Sequence, residues 1–337
     1  MTPEKNPLVS VVTPVYNGER YIRECVESIL AQTYTDWDYT VVNNCSSDRT
    51  VEIVQEYSAR DPRIRIVNNE KFVRAIENHN IAFRQISPES KYCKVVAADD
   101  WLFPECLEKM VALAEAHPLV AIVGAYGLEG NRVIYNGLSY PGTVVPGRDL
   151  CRRSLLGELY VFGAPTSVLF RSDIVRSRRP FYNEDNLHAD GEACYEILEH
   201  HDFGFVHQVL TCLRLQQGSL TSQSGRLNTY LPNDLRMLVR FGRKYLDEAE
   251  RSAMIRGHLK KYYAFLGRQV FEHRDEQFWG YHRGKLAVEG YPLNRSRLMA
   301  SAALHFLDVF FSRRMPAMVL RRMGRVWARL TGREDVR

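Results

Sequence analysis

Two adjacent aspartates, Asp99 and Asp100, follow an apolar, strand-like run at residues 95–98 (VVAA). Carboxylates at a strand end could hold a divalent cation between protein oxygen and a diphosphate. Mg2+ or Mn2+ takes one or two carboxylates and completes its shell with phosphate and water. The plainer reading is that one of them caps the helix beginning near Pro104. Other polar groups fall in equivalent places, at residues 13–18 (TPVYNG) after one apolar run and at residues 43–48 (NNCSSD) after another.

The elements that must position these groups are legible from periodicity. Residues 8–15 form an apolar, β-branched run of the kind buried on both faces in a parallel sheet. Ile22, Val26, Ile29 and Leu30 then line one helical face. The alternation continues with strands at 39–42, 64–67, 92–98 and 119–124. Between them come a helix capped by Ser47 or Asp48, one over 73–86, and one with Pro104 in its first turn. This alternation predicts a doubly wound, mostly parallel α/β sheet, which binds ligands at the carboxyl ends of its strands. The three polar segments are therefore expected to cluster. From 126 to 225 the pattern loosens into a hairpin (127–137), a strand (167–170), a helix (190–200) and a long strand or bent hairpin (203–215). After about residue 232 helical periodicity dominates. The expected division is a domain over 1–225 and a helical region over 226–337.

Several function classes are excluded by what is missing. No G-x-G-x-x-G follows the first strand and no G-x-x-x-x-G-K-[ST] occurs, which argues against a dinucleotide oxidoreductase and a P-loop NTPase. The absence of a Gly-rich, Lys-containing first loop argues against a sugar nucleotidyltransferase. The seven cysteines contain no C-x-x-C pair, so free thiols in a reducing, cytoplasmic compartment are expected. Residues 1–7 carry no signal-peptide pattern, and the apolar stretch 298–311 is too short to span a bilayer.

The net charge of +5 is unevenly spread. Residues 291–337 hold ten Arg and no Lys, a net of +7, leaving −2 for the rest. Leu304, Phe306, Leu307, Val309, Phe310 and Phe311 precede Arg313, Arg314, Arg321, Arg322, Arg325 and Arg329. Segment 298–329 thus suits either an anionic membrane surface or an ordinary amphipathic helix packed on the protein. Nothing resembles a nucleic-acid recognition module.

Taken together, VSVVTPVYNGERYIRECVESILAQTY, VVNNCSSDRT and SKYCKVVAADDWLFPECLEKMV resemble the family 2 glycosyltransferases over roughly residues 8–220. That resemblance implies a GT-A fold, a Rossmann-like doubly wound sheet here followed by a helical extension. It also implies inverting transfer of a sugar from a nucleotide diphosphate to a hydroxyl. Thr13, Pro14 and Tyr16 match the first nucleotide-binding tip. Asn44 stands where the family usually has an Asp that accepts from the nucleobase. Asp99 matches the metal-binding position, for Mn2+ or Mg2+, with Asp100 after it and Ala97 where the first acidic residue of that motif belongs. Asp190 matches the acidic residue at the start of the acceptor-site helix and is the expected base, with Glu184, Asp185 and Glu192 as fallbacks; capping that helix is its structural alternative. Arg214 is expected on the donor diphosphate or on another carboxylate, and Gln216 replaces a family His. His79, where related sequences often carry Arg, either faces the sugar or is a surface helix residue. Trp101 is expected to pack beneath the acidic loop, and Cys45 to be a small turn residue.

The implied activity is a metal-dependent hexosyl transfer onto a glycan or lipid-linked acceptor in cell-surface polysaccharide synthesis, peripheral at the inner membrane face. The three departures, Asn44, Ala97 and Gln216, support the alternative of a non-catalytic nucleotide-sugar-binding or scaffold protein.

Overall fold

The computed structural model describes residues 6–215, 225–272 and 274–314. It divides into two units, residues 1–226 with 241–247 and residues 227–240 with 248–337.

The first unit opens as its periodicity predicts. Strand β1 (Val9–Val15) is buried along its whole length, and α1 (Ile22–Leu30) buries Ile22, Val26 and Ile29 against the sheet. β2 (Trp37–Asn43), α2 (Thr50–Ser58), β3 (Ile64–Asn68), α3 (Ala75–Phe83) and β4 (Tyr92–Val95) follow. β1 pairs in parallel with both β2 and β4, and β2 with β3. Next come β5 (Trp101–Leu102), α4 (Cys106–Ala116), β6 (Val120–Glu129), β7 (Arg132–Ile134), β8 (Val144–Val145) and α5 (Gly147–Leu155). The unit continues through β9 (Val168–Arg171), α6 (Ser172–Ser177), α7 (Ala189–Ile197) and β10 (Asp202–Leu213).

The sheet order is β3-β2-β1-β4-β9-β6-β10-β5, with β7 on β6 and β8 on β10. β9 enters antiparallel between β4 and β6, while β6 and β10 are parallel to each other. This insertion explains why the regular alternation loosens after residue 125: β9 arrives in the sheet after a hairpin and a helix, outside any βαβ step. The 3₁₀ turn Pro165–Ser167 leads into β9 and meets the end of β4. Lys94, fully buried on β4, donates to the carbonyls of Thr166 (2.7 Å) and Val168 (3.2 Å). A buried ammonium needs such acceptors, and it ties the acidic loop's strand to its neighbour.

The second unit is helical: most of α8 (Tyr230–Tyr245), then α9 (Glu248–Gln269), α10 (Glu276–Val288) and α11 (Arg295–Arg314). Gly267 sets the close approach of α9 and α11, because a Cβ there would stand 2.7 Å from the main chain of Ser301. The last turn of α8 belongs to the first unit, where Phe241 stacks on Tyr195 of α7 at 5.1 Å. No helix among the described residues is long and apolar enough to cross a membrane.

Candidate active site

The loops after β1 and β2 are latched to each other. Ser46 Oγ accepts from the Asn17 N–H (2.9 Å), and Asn17 Oδ1 accepts from the Ser47 N–H (2.9 Å). Asp48 accepts from the N–H groups of Glu19 (3.0 Å) and Thr50 (3.1 Å), and Thr50 Oγ1 from that of Gly18 (2.8 Å). Asn17 and Cys45 sit at φ 50° and 59°, the left-handed region that tight turns use. Thr13 and Pro14 are buried, and the Thr13 hydroxyl accepts from Tyr39 Oη (2.9 Å). The Thr13 side chain is thus part of the core, which leaves its main chain for any ligand contact. Tyr16 is 52% exposed and meets the edge of Phe72, 59% exposed, at 4.9 Å. Phe72 was not singled out from the sequence.

Asn44 is 2% exposed, and its amide pairs with both the main-chain N–H and the C=O of Val73. Its Nδ2 donates to the Val73 carbonyl (2.8 Å), while its Oδ1 accepts from the Val73 N–H (2.9 Å) and from Asn69 (3.1 Å). An aspartate could make only the accepting half of that pair. Cys45 is exposed, with its Sγ directed to the Asn69 carbonyl (3.4 Å). His79 bonds the Ala75 carbonyl through Nδ1 (2.9 Å) and lies 6.1 Å from the Tyr182 ring; burial lowers its pKa, favouring the neutral imidazole.

The two aspartates of the acidic loop differ sharply. Asp100 is buried, with Oδ2 accepting from Thr166 Oγ1 (2.6 Å) and Oδ1 from the Arg214 N–H (3.0 Å). Burial, with the Asp99 charge second, pushes its carboxyl up to about 7. Thr166 also accepts from the Ala97 N–H (3.0 Å), so one threonine holds both ends of the loop. Asp100 is accordingly the anchor, whereas Asp99 is the part-exposed member of the pair. Arg214 clasps the same loop. Its Nε donates to the Asp99 carbonyl (3.1 Å), its Nη2 bonds Glu24, and its guanidinium lies between Tyr21 (4.4 Å) and Trp101 (4.9 Å). Of the two partners expected for Arg214, the structure shows the carboxylate, Glu24. Trp101 lies beside that clasp. Gln216 is outside the described residues.

Asp190 occupies the first turn of α7 and is part-buried. Desolvation pushes its carboxyl up to about 6, against the opposing pull of its own N–H and that of Gly191. Tyr135, Tyr160 and Tyr182 feel its charge. The preceding loop is fixed from two sides. Asn80 on α3, 1% exposed, donates to the Tyr182 carbonyl (2.8 Å) and Glu184 (3.0 Å) and accepts from the Tyr182 N–H (2.8 Å). Glu192, also 1% exposed, accepts from Asn183 (3.2 Å) and Asn186. Of the fallback acids, Glu192 and Glu184 are therefore engaged in holding the loop, and Asp185 is exposed beside Arg74 (3.5 Å). Asn80, Thr166 and Lys94 are structural partners the sequence did not announce, because their partners lie about 70 to 100 residues away.

Two shallow clefts, of about 340 and 780 Å3, lie at the amino ends of β1, β2 and β4, opposite the acidic loop. The chemistry, rather than cleft size, locates the site.

Residues 10–177 match the glycosyl transferase family 2 profile. The chain belongs to this family. An uncharacterized glycosyltransferase of Haemophilus influenzae is 30% identical over 194 residues, 56% of this chain and 58% of the relative. A putative teichuronic acid biosynthesis glycosyltransferase, TuaG of Bacillus subtilis, is 36% identical over 105 residues, 31% of this chain and 41% of its own. The chain spans about half the length of these curated relatives. Among solved structures, S. aureus TarS 1–349 in complex with UDP-GlcNAc superposes with a TM-score of 0.60 at 16% identity, covering 83% of this chain and 80% of that one. The mannosyltransferase PcManGT from Pyrobaculum calidifontis, in complex with GDP-Man and Mn2+, gives 0.54 at 15% identity over 97% and 81%. The fold is thus the GT-A fold of family 2.

Proposed function

We propose that this family 2 protein transfers a sugar, with inversion, from a nucleoside-diphosphate donor to a hydroxyl of a glycan or lipid-linked acceptor in surface polysaccharide synthesis. The observation that carries the reading is the contrast between its acidic groups. Asp99 is part-exposed just after the carboxyl end of β4, whereas burial at the start of α7 pushes the Asp190 carboxyl up to about 6. A carboxylate tuned toward neutrality is a better proton acceptor than an ordinary one, and a positioned base of this kind contributes about 10²–10⁴ in rate.

A divalent cation, Mn2+ or Mg2+, fits the donor set in one form only. Among the described residues no group of three or more His, Cys, Asp or Glu could hold a metal, and both Asp100 oxygens are taken. Asp99 would hold the ion, with the diphosphate and water completing its shell. When bound, it would supply charge stabilisation to the leaving diphosphate. Asp100, Thr166 and Arg214 keep Asp99 in place, and Asp190 takes the acceptor proton. Tyr16 and the latched loops of β1 and β2 form the base and ribose side. Asn44, already paired to Val73, reads the base at most through its remaining N–H and chiefly fixes residues 69–73. Binding without turnover is the second reading, favoured by Asn44 and Ala97 and opposed by the tuned Asp190.

The named relatives support the substrate class: TarS was solved with UDP-GlcNAc, PcManGT with GDP-Man and Mn2+, and TuaG is a putative teichuronic acid biosynthesis glycosyltransferase. Seven free cysteines suit a reducing, cytoplasmic compartment. The exposed Leu304, Phe306 and Leu307 of α11, followed in sequence by arginines, suit a peripheral position on an anionic membrane face. Incubation with a panel of nucleotide sugars, UDP-GlcNAc and GDP-Man included, should release nucleoside diphosphate only with Mn2+ or Mg2+. Asp99→Ala should abolish the release. Donor binding without release across donors and acceptors would favour the scaffold.

A further inference from the structure

Beside Asp190 stands a half-exposed aromatic ring. Tyr160, in the loop between α5 and the 3₁₀ turn, is 49% exposed. The seat beneath its ring is rigid: it meets the edge of the fully buried Phe162 at 5.2 Å, and Phe162 packs on Tyr195 of α7 at 5.1 Å. A Cβ at Gly191 would stand 3.2 Å from the Tyr160 hydroxyl. The ring therefore reaches the first turn of α7, at the residue after Asp190, and glycine at 191 gives it room.

Tyr135, which also feels the Asp190 charge, is held with equal care. It sits at φ 62°, its hydroxyl accepts from the Ala164 N–H (3.0 Å), and a Cβ on Gly163 would collide with its ring at 1.8 Å. Both tyrosines are fixed by the same short segment, residues 160–164, next to one carboxylate. A half-exposed ring on a rigid base suits an apolar face with polar groups at its rim. A pyranose has that shape, since its C–H bonds gather on one face and its hydroxyls point outward.

We propose that the exposed face of Tyr160 is the platform of the acceptor subsite, and that it takes a saccharide ring whose hydroxyl is presented to Asp190. This rests on Asp190 being the base, and it deepens that reading by assigning the residue that holds the carbohydrate unit of a glycan or lipid-linked acceptor. Tyrosine suits the task because its two side-chain torsions are already fixed, so little freedom is lost on stacking.

The test reads binding and is separate from turnover. Saturation-transfer NMR on the full chain would use the methyl glycosides of glucose, galactose, mannose and N-acetylglucosamine, with glycerol as a polyol lacking an apolar ring face. At least one glycoside should receive saturation at its ring protons. Its affinity should fall about 3- to 10-fold in Tyr160→Ala, as expected for loss of one ring-stacking contact. Tyr160→Phe should keep it, and glycerol should not discriminate among the three proteins. Equal binding of every glycoside by wild type and Tyr160→Ala would overturn the proposal, as would the lack of any glycoside signal in wild type. Loss of binding in Tyr160→Phe as well would also overturn it, by showing that the hydroxyl rather than the ring face is what matters. A chain whose turnover survives Asp190→Asn would refute the base and leave the platform result standing.

Discussion

Replacing Asp190 by Asn should make the protein more stable and nearly inactive at once. In the folded state burial lifts this carboxyl from an ordinary 3.8 to about 6. At 1.36 kcal/mol per unit, the ionised group costs about 3 kcal/mol at pH 8. Asn forfeits the favourable interaction of a negative charge with the helix N-terminus, about 0.3–1 kcal/mol. A net gain of about 2 kcal/mol remains. The sign follows from proton counts. Between about pH 4 and 6 the folded wild type binds more protons than the unfolded chain, so its stability falls as pH rises through that window, whereas the variant's does not. Urea unfolding of both proteins at pH 5 and pH 8 is the assay. The variant's advantage should widen by about 1 kcal/mol between the two, while turnover at pH 8 falls about 10²–10⁴-fold. A variant less stable than wild type at pH 8, or a difference that ignores pH, would refute the claim that Asp190 is a desolvated base.

Asn44→Asp restores the residue usual in the family but sets an oxygen against the Val73 carbonyl. It should cost about 2–4 kcal/mol at pH 8 and less at pH 4, where a protonated acid can donate again, as read by thermal unfolding at both pH values. Asn80→Ala strands the buried N–H and C=O of Tyr182 and should lower stability by about 3 kcal/mol in urea titration; a loss under 1 kcal/mol would show that water replaces the amide. With Asp190 as the base, kcat/KM should fall tenfold per pH unit below about pH 6, and a limb near pH 4 would point to an unperturbed carboxylate.

The first 125 residues were legible because each βα step carries its own period. The buried run of β1 and the Ile22, Val26 and Ile29 face of α1 need no distant information. The antiparallel β9 was legible as a strand but not as a partner of β4 and β6, since pairing across more than 40 residues leaves no local signal. The same holds for the site. Asp99, Asp100 and Asp190 were visible as residue types in a familiar order. That Asp100 is an anchor was not, because Thr166 and the Arg214 main chain reach it only in the fold. Nor does sequence order show that Asn44 and Asn80 perform the same act, each clamping the main-chain N–H and C=O of one loop residue, Val73 or Tyr182.

In the proposed transfer Asp190 removes a proton from an acceptor attacking opposite the diphosphate. The first-formed anomer of the released sugar tests it most directly. In the slow hydrolysis of an α-linked donor such as UDP-GlcNAc or GDP-Man, proton NMR before mutarotation should show the β anomer appearing first, at a rate cut by Asp190→Asn. The α anomer appearing first would contradict inversion and the role assigned to Asp190.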